Sequence, residues 1–263
     1  MWCIKNMDEY RRMVAKGGIY EGIMKAKEEG LIEHISCTTH ANSEDIAEIV
    51  KDGRIEIEGV TLGYNAINFA YRRAGIQACH AANKAVIVMN PLGGGTIPKH
   101  PQRFSFLTEN GDEKIAVAAL RFLLAHKEIT AALPGISTSA ELHDAIDATK
   151  NVVQIDENYL DNLAKKLSQD LNTLCTCCSY CESCPVEIPI TKFMDSYNET
   201  LLSTQTSNSG GKNLHAAHDK LNYFWSVPYE TANKCIKCGV CENLCTQKLP
   251  IIQRLEEIGS HVK

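Results

Sequence analysis

Two runs of closely spaced cysteines near the C-terminus carry the clearest chemistry of this sequence. The first reads C-x2-C-x2-C-x2-C-P over residues 175–185, and the second reads C-x2-C-x2-C-x3-C over residues 235–245. Three thiolates two residues apart on a tight turn can bind three corners of one cubane iron–sulfur cluster, and the fourth cysteine binds the other cluster. The spacing therefore predicts two [4Fe–4S] clusters.

Each predicted cluster takes three cysteines from one run and the last cysteine from the other run. The predicted ligand sets are Cys175, Cys178, Cys181 with Cys245, and Cys235, Cys238, Cys241 with Cys184. Cys177 interrupts the periodicity and is predicted not to be a ligand. Gly239 is expected to let the backbone approach an inorganic sulfide. Thr246 stands where the usual pattern has proline.

Two other uses of these cysteines compete with this prediction. A disulfide framework is disfavoured because no N-terminal stretch has the form of a signal peptide. Two zinc sites with four cysteines each remain an alternative, although zinc sites usually separate two C-x2-C pairs by a longer gap. The scattered Cys3, Cys37 and Cys79 are predicted to be small buried hydrophobic residues.

Length and composition set the broad class of the protein. The chain has 263 residues, of which 44% are hydrophobic, and a net charge of −5. This is enough for two small domains or one large one, and it gives no sign of nucleic-acid binding. No apolar run approaches the roughly 20 residues that span a bilayer. We therefore expect no membrane contact and a cytoplasmic, reducing location.

Predicted strands alternate with predicted helices over the first 150 residues. The strands are expected at about 31–37, 55–62, 85–89 and 129–133. The helices are expected at 19–29, 44–51 with Ser43 as N-cap, 71–83, 114–126 and 139–148. This order predicts an α/β fold with a parallel sheet, either doubly wound or a barrel. The absence of G-x-G-x-x-G after any strand disfavours a Rossmann fold.

The character of the sequence changes after residue 150. A polar amphipathic helix is predicted over 156–174 and leads into the cysteines, and a flexible loop is predicted at 203–211. We therefore predict two domains, 1–153 and 154–263. Four aromatic residues before the second cysteine run are expected to cover the clusters: Tyr223, Phe224, Trp225 and Tyr229. His215 and His218 are expected to lie on a solvated helix face.

Four strand exits together resemble those of the aldo/keto reductase family, in the branch with a C-terminal ferredoxin-type domain. They read SCTTH at 36–40, YN at 64–65, PLGGG at 91–95 and PGIS at 134–137. The resemblance implies the C-terminal half of a (β/α)8 TIM-type barrel, strands 5 to 8. A mainly α-helical, ferredoxin-like iron–sulfur domain would follow it.

The same resemblance implies that the catalytic machinery lies outside this sequence. The family's catalytic Tyr, Asp, Lys and His lie on strands 1 to 4, so no catalytic residue is assigned here, and His40 is expected to be a loop residue. Strands 1 to 4 would come from an N-terminal half-barrel partner chain, or a homodimer would form, because a half-barrel leaves strand edges unpaired.

The resemblance also implies one wall of an NAD(P)H site. Thr38 would lie near the nicotinamide carboxamide, and the backbone of Leu92, Gly93 and Gly94 along the pyrophosphate. The adenosine phosphate would meet Gly135, Ser137 and Ser139, at the start of a helix whose amides suit an anion. This last loop has no cation, which favours NAD over NADP, or no nucleotide.

These expectations combine into two functional hypotheses. The first is an oxidoreductase that couples a nicotinamide-linked redox step to electron transfer through two [4Fe–4S] clusters and an external redox partner protein. The second is a non-catalytic electron carrier, in which the barrel half serves only as a docking platform.

Overall fold

The computed structural model describes residues 1, 3–108, 113–167, 173–202 and 214–260. The chain forms two compact units, Met1–Ser168 and Gln169–Lys263. The first unit is an α/β structure, and the second is mainly helical.

A four-stranded, wholly parallel sheet organises the first unit, and its strands lie side by side in chain order. The strands are β1 (Ser36–Thr39), β2 (Gly59–Gly63), β3 (Ala85–Met89) and β4 (Ala131–Leu133). The predicted order of strands is thus confirmed, and the sheet is consistent with part of a (β/α)8 barrel. Three strands begin later than predicted, and one of them is β4, which begins at Ala131 instead of at residue 129. β1 begins at Ser36, because the preceding segment faces solvent and Leu31 is 72% exposed. β2 begins at Gly59, which pairs with Ser36 of β1, instead of at residue 55.

Eight helices accompany this sheet within the described part of the first unit. They are α1 (Met7–Val14), α2 (Ile19–Glu28), α3 (Ser43–Lys51), α4 (Phe69–Ala81), α5 (Thr96–Lys99), α6 (Ile115–Leu124), α7 (Ser139–Ala148) and α8 (Glu157–Leu167). The predicted N-cap of α3 is wrong. Asn42 caps the helix by accepting from the amide of Asp45 at 2.7 Å, while Ser43 donates its hydroxyl to the carbonyl of Tyr71 at 3.0 Å.

The two faces of the sheet differ in burial. Alternate strand residues such as Val60, Leu62 and Val88 are buried, whereas Thr61 and Ile87 between them are only partly buried. β3 is apolar throughout, which is typical of strands buried on both faces, but its alternate residues are only partly buried in this unit. One face of the sheet is packed, and the other lacks a full covering layer.

The first residues of the chain add to the outer edge of β1. Ile4 forms an isolated parallel bridge with Thr39, and the amide of His40 donates to the carbonyl of Ile4 at 2.8 Å. The hydroxyl of Thr39 donates to the same carbonyl at 2.9 Å. Of the scattered cysteines, Cys37 and Cys79 are buried as predicted, and Cys3 is partly exposed.

No strand occurs among the described residues of the second unit. Its helices are α9 (Ile190–Leu202), α10 (His215–Asp219), α11 (Val240–Leu244) and α12 (Ile251–Ser260). A π-helical turn at Lys220–Phe224 and a 3-10 turn at Tyr229–Lys234 accompany them. Apolar side chains from α9 and α12 form one buried cluster together with several of the cysteines.

Parts of two predicted segments lie outside the described residues. The predicted helix over 156–174 is seen as α8, and 168–172 are not described. The predicted loop at 203–211 is likewise outside the described part. None of the helices in the described ranges is both long and apolar enough to span a bilayer.

A buried tyrosine fastens α1 to the end of α3. The hydroxyl of Tyr10 donates to the carboxylate of Asp52 at 2.6 Å, and the guanidinium of Arg54 donates to the same carboxylate at 2.6 Å. The hydrogen bonds from Arg54, followed by that from Tyr10, hold the pKa of Asp52 well below its usual range.

Replacing Asp52 tests this contact. Asp52→Asn should lower the free energy of unfolding at pH 7 by about 1–2 kcal/mol, because a hydrogen-bonded charge is lost. A carboxylate with a depressed pKa stabilises the fold above about pH 4, and this stabilisation is lost as the pH falls further. The difference in free energy of unfolding between the variant and the natural sequence should therefore be smaller at about pH 2.5 than at pH 7. Urea denaturation followed by far-UV circular dichroism would measure it.

Asp8→Asn is the matched control, since Asp8 is 80% exposed and pairs with Arg11 across one helical turn. It should cost much less than Asp52→Asn. Equal losses in both variants, or a deficit at Asp52 that does not change with pH, would contradict this account.

Candidate functional site

The residues of the predicted nucleotide wall lie at one end of the sheet, where the carboxyl ends of its four parallel strands meet. Thr38 lies within β1 and is partly exposed. Leu92, Gly93 and Gly94 follow β3 directly, and Gly135 follows β4. Ligands of parallel α/β folds bind at the carboxyl end of the sheet, so these residues lie where a cofactor could be held.

The loop after β3 is built from backbone conformations that favour glycine. Gly93, Gly94 and Gly95 have φ values of 61°, 66° and 87°. A Cβ at Gly93 would lie 2.7 Å from the side chain of Ile67. The Asn90 side chain accepts from the amide of Gly94 at 2.5 Å. This loop is therefore a fixed glycine turn.

Asn65 supports this turn from the neighbouring strand exit. Its side-chain amide donates to the carbonyl of Asn90 at 2.9 Å, and its side-chain oxygen accepts from the amide of Ile67 at 2.9 Å. In the sequence, Asn65 stands out only as part of a strand exit, so this role was not predicted. The signal that could have identified this role is the position of Asn65, two residues after the end of β2.

The loop before α7 differs from a bare helix start. The carboxylate of Glu141 accepts from the amides of Ser137 at 2.7 Å and Thr138 at 2.9 Å. Thr138 accepts in turn from the amide of Glu141, which completes a capping box. These backbone hydrogen bonds lower the pKa of Glu141. An anion at Gly135, Ser137 and Ser139 would compete with this carboxylate for two of the amides.

Two other polar groups near the strand exits are in buried surroundings. Burial, with Arg72 and Lys5 nearby, lowers the pKa of His40 to about 4, so this imidazole is neutral at pH 7. The Tyr64 hydroxyl donates to Nε2 of His126 at 3.1 Å, since Nδ1 of that histidine donates to a carbonyl. Tyr64 is fully buried, which makes this pair part of the core.

In the second unit, the two cysteine runs repeat one backbone conformation. Cys177 and Lys237 each lie two residues after the first cysteine of their run and have φ values of 53° and 56°. Ser179 and Gly239 each follow the second cysteine, with φ values of 63° and 76°. Cys177 therefore occupies the position of a lysine in the other run.

Hydrogen bonds repeat in the same way. The amides of Cys177 and Lys237 each donate to the sulfur of the cysteine two residues earlier, both at 3.4 Å. Glu182 and Glu242, each just after a third cysteine, accept from amides at the starts of α9 and α12 at 2.7 and 2.9 Å. The sequence carries a signal for this duplication, the short repeat C-x3-I-P-I and C-x3-L-P-I, which was not among the predictions.

A cavity lies among the four cysteines of the second predicted ligand set. Its lining includes Cys184, Cys235, Cys238 and Cys241, with Gly239 beside them. A Cβ at Gly239 would meet no atom within 4 Å, so this glycine is needed for its conformation and faces open space. The fold thus brings the last cysteine of the first run to the second run.

The cysteines of the first predicted set are also close together. Burial raises the pKa of Cys181 to about 12, and the nearby thiols of Cys178 and Cys245 act in the same direction. Cys175 is buried, and its backbone is held by the side chain of Asn198 through two hydrogen bonds of 2.8 Å. The sulfur of Cys178 lies 3.5 Å from the hydroxyl of Thr246, which follows Cys245 directly, so the last cysteine of the second run lies with the first run.

Thiols of this kind can bind either a zinc ion or a corner of a cubane cluster. In the described part of the chain, no three His, Cys, Asp or Glu side chains are arranged to hold one metal ion. A cubane needs a different geometry, because each thiolate binds a separate iron corner. Buried thiols and amide-to-sulfur hydrogen bonds are the surroundings that stabilise and tune such a group.

Several side chains near the cysteines lie differently from the predictions. Tyr223 and Phe224 are 86% and 66% exposed, because the π-helical turn directs them to the surface, so the prediction that they cover the clusters is wrong. Trp225 instead donates to Asp195 at 3.1 Å. His218 is buried, stacks on Tyr229 and donates to a carbonyl of α12, so its predicted solvated position is also wrong.

The sequence was compared with known proteins. Residues 17–166, more than half of the chain, match the model of the aldo/keto reductase family. No curated protein matches. Among solved structures, the holo form of aldo-keto reductase AKR11C1 from Bacillus halodurans is 15% identical, with a TM-score of 0.46, and the match covers 56% of this chain and 54% of that one.

Two further solved structures are similar at the same level. A thermostable aldo-keto reductase, Tm1743, is 18% identical, with a TM-score of 0.45 and coverage of 56% and 53%. The aldose reductase from Schistosoma japonicum is 17% identical, with a TM-score of 0.43 and coverage of 56% and 46%. This chain spans about half the length of these proteins. The family match over residues 17–166 shows that this chain belongs to the aldo/keto reductase family.

Proposed function

We propose that this chain is part of an iron–sulfur oxidoreductase of aldo/keto reductase type. Its first unit would hold part of a nicotinamide cofactor, and its second unit would bind two [4Fe–4S] clusters that pass single electrons to or from a redox partner protein. The observation that carries the proposal is the duplicated cysteine turn in which each run's last cysteine lies with the other run.

The duplication favours clusters over the zinc alternative. A zinc ion takes four ligands at one point, usually from two C-x2-C pairs. Here Cys184 joins three cysteines of the other run around one cavity, as the C-x2-C-x2-C turn of two-cluster ferredoxins requires. The residues that would hold the clusters are those of the two predicted sets: Cys175, Cys178, Cys181, Cys245, and Cys184, Cys235, Cys238, Cys241.

The family typically binds NAD(P)H, and the glycine turn after β3 supports that part of the proposal. Its exposed Gly94 leaves room for a pyrophosphate, and Asn65 holds the turn in place through Asn90. A bound nicotinamide cofactor would supply hydride transfer, while Thr38 and this turn would position it. The capping box at Glu141 disfavours the predicted binding of the adenosine phosphate, because the carboxylate already accepts from the amides of Ser137 and Thr138.

We further propose that a second polypeptide segment supplies the rest of the barrel. One face of the sheet lacks a full covering layer, and β4 ends the sheet without a further strand among the described residues. An N-terminal half-barrel from a partner chain, or a second copy of this chain, would cover this face and pair with the edge. The catalytic residues of the reaction would come with that half.

A non-catalytic electron carrier is the second candidate function. The observation that favours it is Glu141, whose carboxylate already takes the amides of Ser137 and Thr138. In a carrier these amides need no nucleotide, and the first unit would serve only as a docking platform.

The cluster assignment predicts the metal content of the purified protein. Prepared without oxygen, the protein should be brown and hold about eight irons per chain. Cys184→Ser should lose about half of this iron, because one ligand of one cluster is removed. Iron analysis and visible absorption would measure this.

Cys177→Ser is the matched control, because Cys177 lies in the same run and is assigned no iron. It should retain the iron content of the natural sequence. A colourless protein with zinc would overturn the cluster proposal, and equal iron loss in both variants would overturn the ligand assignment.

Nucleotide binding separates the two candidate functions. NADH titrated into the full chain should bind saturably, and Gly94→Asp should weaken binding at least about tenfold, because aspartate tolerates the left-handed conformation but repels a pyrophosphate. Nicotinamide fluorescence would measure both.

Gly53→Asp is the control for the added charge, since Gly53 is exposed on another loop and has no atom near its Cβ position. It should leave binding unchanged. Absence of saturable binding by the natural sequence would favour the electron carrier, and equal weakening by both variants would contradict the assigned position of the pyrophosphate.

A further inference from the structure

A buried arginine lies beside the first cysteine set. Arg254 of α12 is only 4% exposed. Its Nη2 donates to the carbonyl of Thr173 at 2.6 Å, two residues before Cys175. Its guanidinium carbon lies 4.7 Å from the centre of the Tyr197 ring. Tyr197 precedes Asn198, which holds the backbone of Cys175. Arg254 is thus packed against the elements that position this cysteine.

The charge of Arg254 is incompletely matched by hydrogen bonds. Its Nη1 is buried and has no hydrogen-bond partner in the described part of the chain. Burial lowers the pKa of Arg254, and four neighbouring groups act in the opposite direction: Tyr197, Cys175, Cys245 and Glu257. A buried cation is costly unless negative charge lies close to it. Two of these neighbours are cysteines of one predicted ligand set.

The duplicated turn shows what is unusual about this position. Arg254 lies nine residues after Cys245, and its amide donates to the carbonyl of Pro250 at 3.1 Å. Phe193 lies nine residues after Cys184, and its amide donates to the carbonyl of Pro189 at 3.3 Å. The two positions are equivalent in the repeat, and Phe193 is also fully buried. One half of the repeat therefore carries a buried cation where the other carries a benzene ring.

We propose that Arg254 sets the reduction potential of the cluster held by Cys175, Cys178, Cys181 and Cys245, and makes it higher than it would be with a neutral side chain. This inference rests on the proposed function. Reduction adds one electron to the cluster, supplied by the nicotinamide-linked step or by the redox partner. Arg254 takes up neither an electron nor a proton. Its fixed positive charge stabilises the added negative charge, and burial limits screening by solvent and salt.

The test is a potentiometric titration of the full chain followed by electron paramagnetic resonance. Arg254→Gln should lower the reduction potential of one of the two clusters by at least about 59 mV. For one electron, this shift corresponds to a tenfold change in the equilibrium constant for reduction. The other cluster should keep its potential. Arg254→Lys keeps the charge and should shift the same potential much less, although it loses the planar guanidinium.

Lys237→Gln is the control for removing a positive charge near a cysteine. Its backbone amide donates to the sulfur of Cys235, but its side chain is 65% exposed and pairs with Glu256. Solvent screening should make its effect on either cluster small. A shift as large as that of Arg254→Gln would show that burial is not the decisive factor and would overturn the proposal.

A second variant keeps the test decisive if Arg254→Gln does not retain its iron. Glu257 accepts a hydrogen bond from Tyr197 and is one of the negative groups near Arg254. Glu257→Gln should raise the same potential, because it removes a competing negative charge. Unchanged potentials in the charge variants would overturn the role of Arg254 while leaving the clusters in place. Absence of cubane signals in the natural sequence would instead overturn the proposed function.

Discussion

The second unit depends on the crossing of its two cysteine runs, in which the last cysteine of each run lies with the other run. After the third cysteine the chain leaves the turn, so Cys184 lies with the second run and Cys245 lies near Cys181. Helices α9 and α12 begin directly after these crossings, and their apolar faces form the core of the unit. Each run therefore contributes its last cysteine to the surroundings of the other run.

The same duplication explains how two similar sites can differ. The backbone, the amide-to-sulfur hydrogen bonds and the glutamate contacts repeat almost residue for residue. The difference lies in the side chains packed around them, with Arg254 on one side of the repeat and Phe193 on the other. Two clusters in such surroundings would have unequal potentials, since nearby charge and burial are what tune them. An unequal pair gives electron flow a direction.

Much of this architecture could be predicted from the sequence, because it depends on local signals. The cysteine spacing and the alternation of strands and helices involve residues close together in the chain. The errors have a different origin. His218 bonds to Ile258, 40 residues away, and Arg254 meets Thr173, 81 residues away. No local pattern reports such contacts. The N-cap at Asn42 was missed because its neighbour Ser43 is an equally good capping residue by type.

The location of iron in crystals of the full chain, grown without oxygen, tests the central claim most directly. Anomalous scattering at the iron edge would show which thiols are ligands. The account predicts two separate four-iron groups, each bound by three cysteines of one run and the last cysteine of the other. Two single zinc ions, or a cluster bound by four cysteines of the same run, would contradict it.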